Sequence, residues 1–287
     1  MSNPINQPLL STSEIIKKYG LDAKKSLGQN FILDKNFTDK IVRSAHGLTE
    51  DLSDAEVLEI GPGPGSLTRS ILDAGAKKLI AIEKDQRCLE ALQELQNFYG
   101  DRLTIINADA LEIDETKIFS EIISTGKKFK IIANLPYNIG TVLLFKWLKN
   151  CDKISSMTLM LQKEVVERII AKSGDNHYGR LAVMVNFLCE TKMLFTVNKS
   201  VFTPPPKVTS AIIEIIPRVR PLFDVEFRKL EIVVAAAFNQ RRKMIRSSLK
   251  SVFKNPEEIL GKLGINPELR AENLTIEEFC KIAEMYK

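Results

Sequence analysis

The sequence predicts an α/β fold, a Rossmann-like open sheet followed by a small all-helical C-terminal domain, on three observations. Short apolar strands alternate with helical stretches from about residue 57 to residue 193, the pattern of a doubly wound sheet. The first of these strands runs directly into three glycines and then a helix, Val57-Leu58-Glu59-Ile60-Gly61-Pro62-Gly63-Pro64-Gly65-Ser66-Leu67-Thr68. Beyond Pro217-Arg218-Val219-Arg220-Pro221 the apolar period is helical to the end. The division predicted is therefore a ligand-binding α/β domain over residues 1–217 and a helical domain over 218–287.

Taken in order, Met1–Leu10 is polar and proline-containing and is expected to fray. Ser13–Tyr19 is amphipathic, Lys24–Phe31 is a basic leader, and Lys35–Ala45 reads as a helix with Ile41 and Val42 inside. Strands are expected at Val57–Ile60, Leu79–Ile82, Leu103–Ile106, Lys130–Ala133 and Ser156–Leu161, the last feeding a helix at Lys163–Ala171. Tyr178-Gly179-Arg180-Leu181 opens another helix or extended segment. Ala211–Ile216 alternates and is expected to close the sheet antiparallel to Lys192–Val197. The helical tail is broken at Asn255-Pro256, at Gly264–Pro267 and near Asn273.

The chemistry is concentrated at the strand ends, where open α/β sheets bind ligands. Gly61, Gly63 and Gly65 let backbone approach a ligand closely. Glu83 ends the next strand 20 positions past Gly63, where a carboxylate can hold both hydroxyls of a ribose, so a nucleoside-containing cofactor is implied. The loop disfavours a nicotinamide dinucleotide, because Ser66 stands where a third glycine would let the helix pack and Pro62 and Pro64 stiffen the turn. Asp109, between Ala108 and Ala110 after the third strand, is either a helix N-cap or an acceptor for an adenine amine. After the fourth strand comes Asn134-Leu135-Pro136-Tyr137. A side-chain amide oxygen next to a backbone carbonyl can accept both protons of an exocyclic amine, and the tyrosine face can stack on the base that carries it. The same four residues would also serve as a strand-ending turn.

Composition sets wide bounds. A chain of 287 residues with 44% hydrophobic and 27% charged residues suits a soluble globule with a real core. Lys and Arg exceed Asp and Glu by 41 to 36, a mild basic balance compatible with a polyanionic partner. Cys88, Cys151, Cys189 and Cys280 form no close pair, and His46 and His177 have no ligand-like neighbours, so neither a zinc site nor a disulfide framework is expected. No apolar stretch approaches the ~20 residues that cross a bilayer, and a reducing, cytoplasmic location without membrane contact is expected. Charge distribution says more than the total. From Arg241 to Lys254 there are six basic residues and no acid, and Arg242, Arg246, Lys250 and Lys254 recur every four positions. In a helix these would form a cationic stripe opposite Phe238, Ile245, Leu249, Val252 and Phe253, suited either to phosphates or simply to solvent.

The glycine loop, Glu83, Asp109 and Asn134–Tyr137 together resemble an S-adenosylmethionine-dependent N6-adenine methyltransferase. Three further segments, Lys25-Ser26-Leu27-Gly28-Gln29-Asn30-Phe31, Val201-Phe202-Thr203-Pro204-Pro205-Pro206-Lys207-Val208 and Phe238-Asn239-Gln240-Arg241-Arg242-Lys243, narrow the resemblance. It is to the bacterial small-subunit (16S) ribosomal RNA adenine dimethyltransferases, the kasugamycin-sensitivity family, and it spans about Lys24 to the C-terminus. The resemblance implies transfer of two methyl groups to N6 of each of two adjacent adenosines, in a hairpin loop near the 3′ end of 16S rRNA. The substrate would be the small subunit or its precursor and the enzyme a monomer. It implies Asn134, Pro136 and Tyr137 at the reaction centre, with the Pro136 carbonyl as second acceptor, and Tyr137 and Phe202 as rings for the base. Gln29, Asn30, Ile32, Gly61, Gly63, Glu83, Asp109, Ala110 and Asn134 would hold the cofactor. Arg241, Arg242, Lys243, Arg246 and Lys250 would meet RNA, and no metal is implied. Two positions depart from the family pattern, Ile32 for Leu and Thr209 for Asp, neither of which alters an assigned chemistry. The alternatives are a macrolide-resistance-type large-subunit methyltransferase, a DNA adenine methyltransferase, a noncatalytic assembly or transcription factor and, least, a dehydrogenase.

Overall fold

The computed structural model describes residues 9–23, 29–45 and 52–286, so most of the Met1–Leu10 leader and Lys24–Gly28 of the basic segment lie outside the described residues. The chain divides into two compact units. One takes residues up to Lys163 together with Lys192–Ile216; the other takes Glu164–Thr191 together with Pro217–Lys287. The second unit is thus discontinuous, since residues 164–191 group with the C-terminal helices rather than with the sheet that precedes them.

In the first unit, α1 (Thr12–Tyr19) starts on a capping box between Ser11 and Glu14 and stops at left-handed Gly20. The short strand β1 (Phe31–Ile32) leads to α2 (Lys35–Arg43), capped by Asp34. Then β2 (Glu56–Ile60), α3 (Ser66–Asp73), β3 (Lys78–Glu83), α4 (Leu89–Tyr99) and β4 (Leu103–Asn107) alternate. Two short helices, α5 (Glu115–Ile118) and α6 (Ser120–Ser124), precede β5 (Phe129–Asn134), α7 (Gly140–Leu148) and β6 (Ile154–Gln162). After α8 (Lys163–Ile170) and α9 (Arg180–Leu188), the strands β7 (Cys189–Val197), β8 (Phe202–Thr203) and β9 (Ser210–Pro217) finish the sheet region.

Among the described residues seven strands form one sheet in the order β4-β3-β2-β5-β6-β9-β7. The pairs β4/β3, β3/β2, β2/β5 and β5/β6 are parallel, and β9 runs antiparallel to β6 with Leu159 opposite Ile213. Every expected strand is present within about three residues, and β9 and β7 are neighbours. The chain builds outward from β2 to β4 and then returns to β5 on the other side, so the strand order reverses between β2 and β5. A crevice opens at the carboxyl ends of strands at such a reversal. Ile15, Ile41, Val42, Leu67, Ile71, Leu92 and Leu95 carry α1 to α4 into one core with Val57, Leu79 and Ile132 of the sheet. Burying each of these side chains stabilises by roughly 1.5–3 kcal/mol, which fixes the loops at the strand ends.

The second unit is helical, with α10 (Phe227–Asn239), α11 (Ile245–Ser248), α12 (Pro256–Lys262) and α13 (Ile276–Glu284) joining α8 and α9. Phe238 joins the helices by meeting Tyr178 edge-on at 6.1 Å and Phe279 at 5.6 Å. The expected cationic helix from Arg241 to Lys254 does not form. The chain leaves helical geometry at Gln240 (φ −122°, ψ 59°), Met244 bridges to Arg270, and α11 spans four residues before a 3-10 turn at Leu249–Ser251. The amides of Ile245 and Arg246 donate to Leu269 and Pro267 carbonyls at 2.6 and 3.2 Å instead of to the preceding turn. A four-residue spacing is a helical face only where i to i−4 bonding continues, and here a later segment competes for those amides.

Candidate active site

One cavity in the first unit collects the ends of β2, β3, β4 and β5 with the residues just before β1. Gly61, Gly63 and Gly65 all have positive φ (66°, 56° and 86°), a conformation that glycine alone adopts freely. A Cβ on Gly63 would stand 3.2 Å from the Phe31 ring, so the loop lies close under β1. The Gly63 amide donates to Glu83 Oε2 at 2.9 Å and the Asp85 amide to Oε1 at 2.7 Å. Glu83 is 5% exposed. Burial raises its pKa, opposed by those amides, and a carboxylate with about four lone-pair sites keeps capacity for further donors.

Behind it lies an acid that the apolar strand pattern hid. Glu59, the fourth residue of β2, lines the same cavity, accepts from Thr68 Oγ1 at 2.7 Å and is 1% exposed. Burial and then the charge of Glu83 push its carboxyl up to about 8. A carboxyl group between Leu58 and Ile60 in an apolar strand was the available signal, because an isolated buried carboxylate is costly without a function or a partner.

Asp109 stands at the rim between two donors, the Lys84 ammonium at 2.6 Å and the Leu111 amide at 2.9 Å, and Lys84 chiefly holds its pKa down. It caps a turn and not a helix, since the next helix, α5, is capped by Asp114, and it lines the cavity. Lys146 braces the following loop by donating to the Ala110 and Ile113 carbonyls and to Glu115 at 2.9 Å. On the other side Gln29 donates to Asp85 Oδ2 at 2.9 Å. Asp85 also pairs with Arg87 at 2.6 Å. Burial works against its charge, but Arg87 and Gln29 outweigh that and keep its pKa low. Gln29, Asn30, Ile32 and Ala110 all line the cavity.

At the end of β5, Asn134 is half-buried and its Nδ2 faces the Asn30 carbonyl at 3.5 Å, which leaves Oδ1 as the free acceptor. The Pro136 carbonyl cannot serve as the expected second acceptor without losing bonds, since it already accepts from the Ile139 and Gly140 amides at 3.2 Å each. The Leu135 carbonyl receives neither of those amides, and Leu135 lines the cavity. Tyr137 lines it too, with its hydroxyl 2.6 Å from Ser210 Oγ. Phe202 is not among the residues that line the cavity. It pairs through β8 with Ile32 of β1, is 2% exposed and belongs to the core. In the second unit Arg241 is paired with Glu272 at 2.9 Å and with the Asn176 carbonyl, and Arg246 with Glu257 at 3.1 Å, whereas Arg242, Lys243, Lys250 and Lys254 are exposed.

The model for ribosomal RNA adenine dimethylases matches residues 20–287. The chain belongs to that family. Among its relatives are proteins named ribosomal RNA small subunit methyltransferase A, from Agrobacterium fabrum at 50% identity over 94% of this chain and 95% of the relative. The same name is carried by a protein of Paramagnetospirillum magneticum at 48% identity over 94% and 92%. Among solved structures, a dimethyladenosine transferase from Plasmodium falciparum is similar with a TM-score of 0.73 at 28% identity, over 88% of this chain and 95% of that one. The 23S rRNA methyltransferase ErmE follows at 0.66 and 26%, over 90% and 99%. This member of the adenine dimethylase family is an S-adenosylmethionine-dependent methyltransferase on a Rossmann-like sheet.

The cavity fits that cofactor on its own evidence. Among its described lining residues are four carboxyl side chains, Glu59, which burial keeps protonated, and Glu83, Asp85 and Asp109, and one cation, Lys84, which is already paired. A ligand carrying a sulfonium and an ammonium is electrostatically welcome there, while a pyrophosphate would meet carboxylates. Among the described residues no helix is long and apolar enough to cross a membrane.

Proposed function

We propose that this adenine dimethylase acts on the small ribosomal subunit or its precursor. It would convert two adjacent adenosines of a hairpin loop near the 3′ end of 16S rRNA to N6,N6-dimethyladenosine. The observation that carries the reading is that Asn134, with its amide nitrogen engaged by Asn30, and Tyr137 line the same cavity as the carboxyl side chains. The roughly 50% identical relatives bearing the small-subunit name support the choice of subunit. In this reading Glu83 holds the ribose of the cofactor, Asp109 and Ala110 its adenine, and the Gly61–Gly63 backbone with Gln29, Asn30 and Ile32 the remainder.

The cofactor supplies an electrophilic methyl group on a sulfonium sulfur. What the protein must do is make a poor nucleophile attack it, because the N6 lone pair of adenine is delocalised into the ring. Asn134 Oδ1 accepts one amine proton. With the Pro136 carbonyl engaged by Ile139 and Gly140, the second proton falls to the Leu135 carbonyl. Two acceptors on one side of nitrogen favour a pyramidal amine and localise its lone pair. Tyr137 holds the splayed base by stacking, and positioning carries much of the rate. No ionised base is required, since the amine proton becomes acidic only after methyl transfer. Both acceptors are open rather than enclosing, so the monomethylated amine can turn and react again. The second, helical unit supplies RNA or ribosome contact through exposed Arg242, Lys243, Lys250 and Lys254, as phosphates are met by cations.

The test is methyl transfer from labelled S-adenosylmethionine to undermodified small subunits, large subunits and free rRNA in parallel, with nucleoside analysis. Dimethyladenosine is expected with the small subunit. Label confined to large subunits would replace this reading with the resistance-type enzyme, and binding without transfer to any of them would replace it with a noncatalytic assembly role. Within the active protein, Asn134→Ala is expected to lose methylation by at least about 100-fold, the usual scale for one transition-state contact, while weakening cofactor binding far less than the loss of Glu83. Glu83→Ala is expected to weaken cofactor binding; calorimetry showing equal losses of affinity in both variants would contradict this division of roles.

A further inference from the structure

Ser210 lies outside every residue set so far given a role, yet its hydroxyl is 2.6 Å from that of Tyr137 across 73 residues of sequence, and it is 1% exposed. Tyr137 lies three residues past the end of β5, and Ser210 opens β9. Asn134 of β5 is in register with Met160 of β6, and Gln162 of β6 with Ser210 of β9. The main chain at Ser210 is held again next door, where the Thr209 carbonyl accepts from the Lys163 amide at 2.8 Å. The Tyr137 ring is therefore tied at both ends to one sheet, at its Cα through β5 and at its hydroxyl through β9. A ring fixed only at Cα turns about two side-chain torsions, whereas a ring fixed at both ends presents one face.

We propose that Ser210 is a positioning residue that sets the plane of the Tyr137 ring before the adenine arrives, and that the second methyl transfer depends on it more than the first. This rests on the reading of Tyr137 as the stacking ring. The first transfer moves a methyl to a primary amine with two protons to anchor it. The second starts from a base with one anchoring proton and a methyl group to accommodate, so a larger share of its alignment falls to the stacked ring. The hydroxyl pair is partly buried, with Ser210 buried and Tyr137 half-buried, and burial raises the pKa of Tyr137, so the phenol stays protonated as a donor or acceptor for Ser210.

The experiment compares wild type with Ser210→Ala, Tyr137→Phe, the double variant and Tyr137→Ala. Cofactor affinity is read by calorimetry, kcat and KM by steady-state transfer to undermodified small subunits, and monomethyl against dimethyl adenosine by nucleoside analysis. Ser210→Ala and Tyr137→Phe are expected to leave cofactor affinity and KM within about twofold while lowering kcat for the second transfer by about 10-fold, the scale of one buried hydrogen bond. Monomethyladenosine then accumulates, and the double variant is no worse than either single one. Wild-type product ratios in Tyr137→Phe, or additive losses in the double variant, overturn the proposal. Tyr137→Ala separates the two claims: if it is inactive while Tyr137→Phe behaves as wild type, only the role of Ser210 fails. If Tyr137→Ala retains full activity, the stacking reading itself is gone. Should Ser210→Ala lose cofactor binding through misfolding, Tyr137→Phe still removes the same contact and decides the matter.

Discussion

At the scale of single residues, the feature with the clearest physical consequence is Glu59. Its carboxyl is held neutral by burial, then by the charge of Glu83, up to about 8 from an ordinary 4.5. A raised folded-state pKa means that the folded state binds a proton which the unfolded chain has released. The stabilisation linked to that proton is complete below about pH 4.5 and is lost as pH rises through about 8. Glu59→Gln keeps an acceptor for Thr68 and has no charge to bury. In cofactor-free protein, urea unfolding at pH 5, 6.5 and 8 should therefore show the variant gaining on wild type as pH rises, by on the order of a few kcal/mol at the top. A stability difference that does not change with pH would mean that Glu59 is ionised in the fold. Glu59 also marks where sequence reading falls short: Glu83 and Asp109 end their strands and are conspicuous, whereas Glu59 stands inside one. Ser210 was invisible for a different reason, as its partner is 73 residues away and only the sheet order brings them together. Phe202 poses the reverse difficulty, because a ring beside a proline loop reads equally as core or as ligand contact, and the structure packs it in the core.

At the scale of elements, strands with strong apolar runs were legible to within about two residues, and glycine and Asn-Leu-Pro-Tyr mark the ends of β2 and β5; the reversal between those strands was not legible, because strand order is set by pairing between distant segments. The stretch from Arg241 was not legible, since its period of four is real but a bridge from Met244 to Arg270 decides its geometry. The glycine loop permits a sharper statement. Gly65 caps α3 at φ 86°, and a Cβ there would come within 2.2 Å of Leu95 and 3.4 Å of Leu92, both fully buried in α4. Left-handed strain of roughly 1–2 kcal/mol and overpacking of roughly 1–3 kcal/mol both apply. Gly65→Ala should thus destabilise by about 2–5 kcal/mol and lower the melting temperature by several degrees. A loss below about 0.5 kcal/mol in chemical denaturation would show that α4 shifts freely, and would undercut the view that this loop is held rigid by the core behind it.

At the scale of the whole molecule, the excess of 41 basic over 36 acidic residues is too small to identify a polyanion partner; what matters is which cations are already spoken for. Arg241 and Arg246 are committed to Glu272 and Glu257, so their charge is partly neutralised within the helical unit. Arg242, Lys243, Lys250 and Lys254 are exposed and remain able to displace counterions from RNA. Replacing these four with glutamine should flatten the slope of log affinity against log salt by up to about 3, at roughly 0.7–0.9 per phosphate contact. The same replacement should leave the cofactor affinity of the first unit untouched. Replacing Arg241 and Arg246 instead should change the slope by less and cost stability, because each removal leaves an acid without its partner. Filter binding to small subunits between about 50 and 200 mM salt separates these expectations. If the two paired arginines carry the larger slope, RNA breaks their ion pairs on binding, and the assignment of free cations to the phosphate backbone has to be exchanged for one in which Glu272 and Glu257 are displaced.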